Sequence, residues 1–125
     1  MKKELDEALV AKYPKIFKFR HAPMTHTAMC WGFECGDGWY GLIYNLCKEL
    51  MGVPAPAPVA AQVKEKYGTL RFYVDHGTDE HYNIIGHYEG LSRHTCDVCG
   101  EPGRLRTGGW MRTLCDVHND QRSKV

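Results

Sequence analysis

At 125 residues the chain can bury a real core, either as one domain or as a main body with a smaller module attached. Sixteen Lys and Arg against fifteen Asp and Glu leave a formal charge of +1, which removes the global electrostatic argument for a nucleic-acid binder. No apolar run approaches membrane-spanning length, and the opening MKKELDEALVAKY lacks the apolar stretch of a secretory signal, so the six cysteines are expected reduced, in a cytoplasm, and not paired as disulfides.

Residues 2–13 carry Leu5, Leu9 and Tyr13 at helical spacing before Pro14 breaks the pattern, and they predict a helix lying on the body by a narrow face. The stretch from Ile16 to Cys35 alternates and turns without a clear period, and predicts a strand or an extended wrap ending at Gly36. Asp37 and Gly38 open the strongest helix. Asp37 is placed to cap its first free N–H groups, Trp39, Leu42, Ile43, Leu46 and Leu50 form one stripe, and Gly52 closes it. Burial of Trp39 alone is worth about 2–3 kcal/mol. Cys47 falls within this helix as a packing residue. Pro54, Pro56 and Pro58 alternate with small residues and make a stiff connector.

Residues 60–66 and 69–74 predict a hairpin about Tyr67 and Gly68, with Leu70, Phe72 and Val74 inward and Thr69, Arg71 and Tyr73 on the other face. A second helix is expected from Thr78 to Ser92, carrying Ile84, Ile85, Tyr88 and Leu91.

The last thirty residues organise the chain. Cys96 and Cys99 form a C-x2-C pair, and Cys115 and His118 form C-x2-H. Two thiolates at that spacing turn onto one centre when a tight turn follows, and Gly100 supplies it; the second pair suits the first turn of a short helix. Four soft or borderline ligands with no fifth position describe a closed structural site, holding zinc or, as the other candidate occupant, iron. Between the pairs, Arg104–Thr107 and Trp110–Leu114 alternate around Gly108-Gly109 and predict a second hairpin. Knuckle, hairpin and ligand-bearing helix, in that order, resemble a treble-clef zinc finger. That class serves nucleic-acid binding, protein binding and nuclease chemistry, so the likeness names no function.

Three phrases carry a further resemblance: ECGDGWY at 34–40, QVKEKYGTLRFYV at 62–74, and TCDVCG with GWMRTLCDVH at the end. Together they resemble a group of small phage and prophage proteins without an established activity. The resemblance implies a phage-derived protein working in a bacterial cytoplasm, and it carries over no functional residue.

Other constellations were weighed. His21, His26, Cys30 and Cys35 are all ligand types, but their spacing follows no compact knuckle, and buried thiols with solvated histidines are the preferred reading. Asp75, His76, Asp79, Glu80 and His81 fall at a turn and helix start, where capping and solubility are their usual roles. No nucleophile with a base, open metal or phosphate loop appears, so an enzyme is not expected. Arg104, Arg106, Trp110 and Arg112 form the remaining patch. It could track phosphates with Trp110 stacked on a base, grip a protein partner, or be a solvated rim with Trp110 covering the zinc site.

The sequence therefore predicts an α+β protein, with a body at 1–92 formed by a core helix and a small antiparallel sheet, and a treble-clef-like zinc module at 93–125 packed on it. The function expected first is non-catalytic, stoichiometric binding to a host or phage protein, extending to inhibition of a host enzyme or defence complex. The alternative is a nucleic-acid-binding zinc protein using the Arg/Trp hairpin; the module holds six Arg and Lys against four Asp and Glu, a mild excess.

Overall fold

The computed structural model describes residues 1–123, so Lys124 and Val125 of the expected 93–125 module lie outside the described residues. The fold is mixed α+β. Helix α1 (Lys3–Lys12) has Glu4 and Asp6 in its first turn and Lys12 in its last, in the sense that the helix dipole favours. It buries Leu9, and Tyr13 just beyond it packs edge-on against Tyr44.

The segment after α1 is neither a strand nor an extended wrap for most of its length. It runs through consecutive turns and a short 3-10 helix (Ala28–Trp31) to a two-residue strand, β1 (Phe33–Glu34). Two polar ties replace a regular ladder. Asp6 receives a bidentate pair from Arg20, whose Nη1 also donates to the Cys30 carbonyl at 2.9 Å, and the Thr27 hydroxyl caps the 3-10 turn by accepting from Met29 N. Ile16, Phe17 and Met29 go into the core.

Helix α2 (Tyr40–Gly52), preceded by one 3-10 turn (Asp37–Trp39), is the central element. Trp39, Ile43, Leu46 and Leu50 of the predicted stripe are fully buried along it together with Cys47, whereas Leu42 is half-buried at the edge of the cluster, and burial pushes the Cys47 thiol up. Asp37 does not cap this helix. Its Oδ1 accepts the backbone N–H of Lys2 at 2.7 Å, so the carboxylate is spent tying the start of the chain to the helix.

After the proline connector, β2 (Val59–Lys66) and β3 (Thr69–Asp75) pair antiparallel, with Lys66 opposite Thr69 across the Tyr67-Gly68 turn. The sheet order is β1-β2-β3, and β1 joins β2 in parallel, so the sheet is mixed where a purely antiparallel one was expected. The parallel pairing needs a crossover, and α2 with its connector provides it. Both open edges are partly covered. Ser92 Oγ and Glu89 Oε2 of α3 (Asp79–Ser92) accept from Leu70 N and Phe72 N, each at 2.9 Å, while the N-terminal ammonium donates to the carbonyls of Phe33 and Cys35.

Helix α3 begins with a capping box between Thr78 and His81. Ile85 and Tyr88 face the core, and the Tyr88 hydroxyl bonds Glu49 on α2. Leu91, expected on that face, is 38% exposed because the apolar stripe ends a turn earlier. Thr69, expected outward, is only 5% exposed because the C-terminal module lies over that end of the sheet. The module itself consists of the knuckle at 95–102, a second two-stranded sheet of β4 (Arg104–Arg106) and β5 (Arg112–Leu114), and α4 (Asp116–Ser123). Among the described residues no helix is long and apolar enough to cross a membrane.

Candidate metal centre

The donor atoms of Cys96, Cys99, Cys115 and His118 all lie within 4.8 Å of one another, and this group could hold a metal ion. Cys99 Sγ stands 3.9 Å from Cys115 Sγ, and His118 Nδ1 stands 3.2 Å from Cys115 Sγ and 3.7 Å from Cys96 Sγ. Each half of the site is shaped by its own backbone. On the first side, Gly100 takes φ +81°, its N–H returns to the Cys96 carbonyl at 2.9 Å, and Thr95 bridges Pro102 to close the loop. On the second, Cys115 directly precedes α4, and its carbonyl accepts from Asn119 N, which fixes His118 in the first helical turn.

Electrostatics differ between the sulfurs. At Cys96 burial opposes the thiolate, but backbone N–H groups of Cys115, Cys99 and Val98 directed at the sulfur outweigh it and bring the thiol down to about 7. At Cys99 the Glu101 N–H favours the thiolate, yet desolvation and the Cys96 and Cys115 sulfurs beside it raise the thiol. A metal ion in the middle of the group reverses that competition, since each sulfur then faces a cation.

The knuckle is docked on the body through backbone. Gly38 N donates to Asp97 O at 2.9 Å, and Trp39 Nε1 donates to Thr95 O at 2.8 Å. A Cβ on Gly36 would overlap the Asp97 carbonyl, and one on Gly38 would overlap the Cys96 carbonyl, so glycine is needed for the two segments to touch. On the other side Thr113 Oγ1 donates to Gly68 O at 2.7 Å. The phrases 34–40, 62–74 and the C-terminal one thus meet at a single junction. The residue that ties it together is Asp97, which is buried. Its N–H donates to Thr113 O at 3.0 Å, and its carboxylate receives the Arg112 guanidinium at 2.6 and 3.3 Å. Sequence reading passed over Asp97, although an acid between the two knuckle cysteines and an arginine near the second pair was the available signal.

The second hairpin departs from expectation. Its strands are shorter, Arg106 pairs directly with Arg112, and Trp110 belongs to the five-residue loop 107–111 and not to a strand. Arg106 is held by the Leu114 carbonyl and Asp116, and draws the Asp116 carboxyl below its usual range. With Arg112 bound to Asp97, two of the three guanidiniums of the predicted patch are engaged within the protein. Arg104 is exposed, and Trp110 is 76% exposed and does not cover the metal centre. Arg104, Arg106 and Arg122 line a cleft of about 590 Å³ on one side of the loop. On the other side, Tyr67, Trp110 and Met111 line a groove of about 510 Å³.

His21, His26, Cys30 and Cys35 do not gather. Among the described residues the C-terminal group is the one set of three or more His, Cys, Asp or Glu donors close enough to share an ion. The His26 ring packs on Phe19 with centroids 4.7 Å apart, and burial, opposed by the N-terminal ammonium, pushes the Cys35 thiol up to about 12. His81 is fully buried, with Nδ1 accepting from Thr78 N at 2.9 Å. No protein-family model, curated protein or solved structure matches this chain.

Proposed function

We propose that this chain is a non-catalytic zinc protein that acts by stoichiometric binding to another protein. The donor set supports zinc. Zinc bonds of about 2.3 Å to sulfur and about 2.0–2.1 Å to nitrogen, arranged as a tetrahedron, require S···S and S···N edges of roughly 3.8 and 3.6 Å. Three of the six separations, 3.9, 3.7 and 3.2 Å, lie within about 0.4 Å of those edges, and all six lie within 4.8 Å. Four protein ligands fill the tetrahedron and leave no place for a water, which is the arrangement of a structural site. Knuckle, hairpin and helix around it support a treble-clef module.

The observation that carries the binding function is Trp110, the most exposed large hydrophobic side chain among the described residues, held on a loop between strands that the metal centre and two ion pairs fix in place. An exposed tryptophan is the kind of anchor that dominates protein interfaces. The internal engagement of Arg106 and Arg112 favours this reading over phosphate tracking, because charges already paired contribute little to counterion release. The resemblance to small phage and prophage proteins supports a bacterial cytoplasm as the setting, and a host enzyme or defence complex as the target class.

Affinity capture from host lysate with the zinc-loaded protein, followed by mass spectrometry, tests the function. The expected result is a partner recovered at a fixed ratio, unaffected by nuclease and lost with Trp110→Ala. Recovery of nothing but nuclease-sensitive material, with binding to single-stranded DNA that steepens as salt falls, would favour the nucleic-acid alternative instead.

A further inference from the structure

The turn joining β2 and β3 is occupied by a residue that local stability does not explain. Both central positions have positive φ, +53° at Tyr67 and +81° at Gly68. Such turns favour Asn-Gly, because a side chain with a bulky Cβ substituent is disfavoured in the left-handed region. Tyr67 is nevertheless there, 66% exposed, so its ring gains little burial in return, and Lys66 Nζ at 5.8 Å from the ring centre is a weak solvent-exposed contact. An unfavourable backbone state kept at an exposed aromatic points to use by something outside the fold.

The second hairpin supplies a matching feature. Trp110 follows Gly109, which has φ +82°, and its ring is also left to solvent. The two tips are adjacent, since a Cβ on Gly68 would stand within 3.2 Å of the Arg112 backbone. Together Tyr67, Trp110 and Met111 make the apolar lining of the 510 Å³ groove, with Lys66 and Glu65 at its side.

Charge around the groove selects the occupant. By register, Lys64 lies opposite Arg71, and Lys66 follows two residues on, so three cations stand on the outer face of β2 and β3 leading away from the groove. Glu34 sits beside Lys64 at the far edge. Glu65 is committed, its Oε1 accepting the Gly68 N–H at 3.0 Å. Arg106 and Arg112 are paired within the module and Arg104 lines the opposite cleft, so the cations that border this groove are Lys66, Lys64 and Arg71. An apolar slot between two aromatic rings, bordered by cations, complements a peptide with an apolar anchor and acidic flanks. A polyphosphate is less well matched, because the slot itself is mostly apolar and offers a phosphate chain no cation but Lys66.

We propose that the groove between the two hairpin tips is the docking site for an acidic segment of the partner protein, with one large apolar side chain seated between Tyr67 and Trp110. This deepens the protein-binding function stated above and rests on it.

The test is selection of random twelve-residue peptides against the zinc-loaded protein, followed by fluorescence polarisation with the enriched peptides and, in parallel, with a labelled twenty-residue oligothymidylate. Enriched peptides are expected to share one Trp, Phe or Leu flanked by Asp or Glu. Trp110→Ala and Tyr67→Asn should each weaken their binding tenfold or more, and Lys64→Glu with Arg71→Glu should weaken it further. Tyr67→Asn is the decisive variant, because asparagine suits the turn better and the protein should fold at least as well. Trp31→Ala, an exposed aromatic on the 3-10 turn, should leave binding unchanged. The proposal is overturned by a failure to enrich peptides, by enriched peptides without acidic flanks, or by peptides that bind Tyr67→Asn and Trp110→Ala as tightly as the parent. Lysate partner capture that survives both substitutions overturns the groove and the Trp110 anchor and leaves stoichiometric protein binding through another surface standing. Oligothymidylate binding lost in both variants, with no partner captured, overturns both.

Discussion

The body and the C-terminal module are held together by different forces. In the body, seventeen buried residues from Leu9 to Tyr88 form one continuous cluster around α2. Among the described residues of the module, the buried hydrophobic ones are Cys96 and Leu114, and the other ties are the ligand group, the Asp97–Arg112 and Arg106–Asp116 pairs, and hydrogen bonds to Gly38, Trp39 and Gly68. Thirty residues cannot bury enough apolar surface to offset their conformational entropy, so coordination and docking must do what packing does elsewhere. With the proposed ion in the ligand group, the module should be conditional on that ion and on its platform, whereas the body should stand without either.

Metal removal should separate the two regions most sharply. Structural zinc contributes on the order of 10 kcal/mol to the folding of small modules, so chelation, or Cys99→Ser, should abolish amide protection across 95–118 while α2 and the β2–β3 pair keep theirs. Loss of protection throughout would mean that the body is not self-sufficient.

Trp39→Ala strikes a side chain that serves both regions, since the ring is in the core and its Nε1 bonds Thr95. A cost of about 3–5 kcal/mol is expected in urea unfolding. Trp39→Phe should retain most of the packing and lose chiefly the tie to the knuckle, about 1 kcal/mol for the bond itself.

Asp97→Ala leaves Arg112 without its buried partner and should cost about 3 kcal/mol, read as lower metal retention and earlier melting of the module. Arg112→Met with Asp97→Asn together should cost less than the sum of the singles, which a double-mutant cycle would measure.

Two glycines of one region give the finest comparison. Gly38→Ala would push a methyl into the Cys96 carbonyl and stand 2.6 Å from Gly100 N, so it should loosen the module while leaving α2 intact. Gly41→Ala, with nothing within 4 Å, should stabilise α2 by about 0.5–1 kcal/mol. Equal effects at the two sites would break the distinction between platform and helix.

What the sequence made legible follows the same division. Helix α2 and the β2–β3 hairpin are written in period and turn chemistry, and the ligand group in spacing, because each depends on residues close along the chain. Features set by the junction were hidden. Asp37 reads as a helix cap by local rule, yet the Lys2 amide takes it from thirty-five residues away. Thr69 reads as outward by alternation, but the module covers it. Arg106 and Arg112 read as a displayed patch, since nothing local shows that Asp116 and Asp97 would reach them. Trp110 reads as a strand residue because Gly108-Gly109 resembles a two-residue reversal, while the observed register makes the loop five residues long.

The central claim is that a closed tetrahedral centre formed by Cys96, Cys99, Cys115 and His118 holds the module together. X-ray absorption at the zinc edge of protein purified without chelator tests it most directly. One zinc per chain, with three sulfurs at about 2.3 Å and one nitrogen at about 2.0–2.1 Å, is the expected result. A shell containing water or carboxylate oxygen, fewer than three sulfurs, or no bound metal would contradict it.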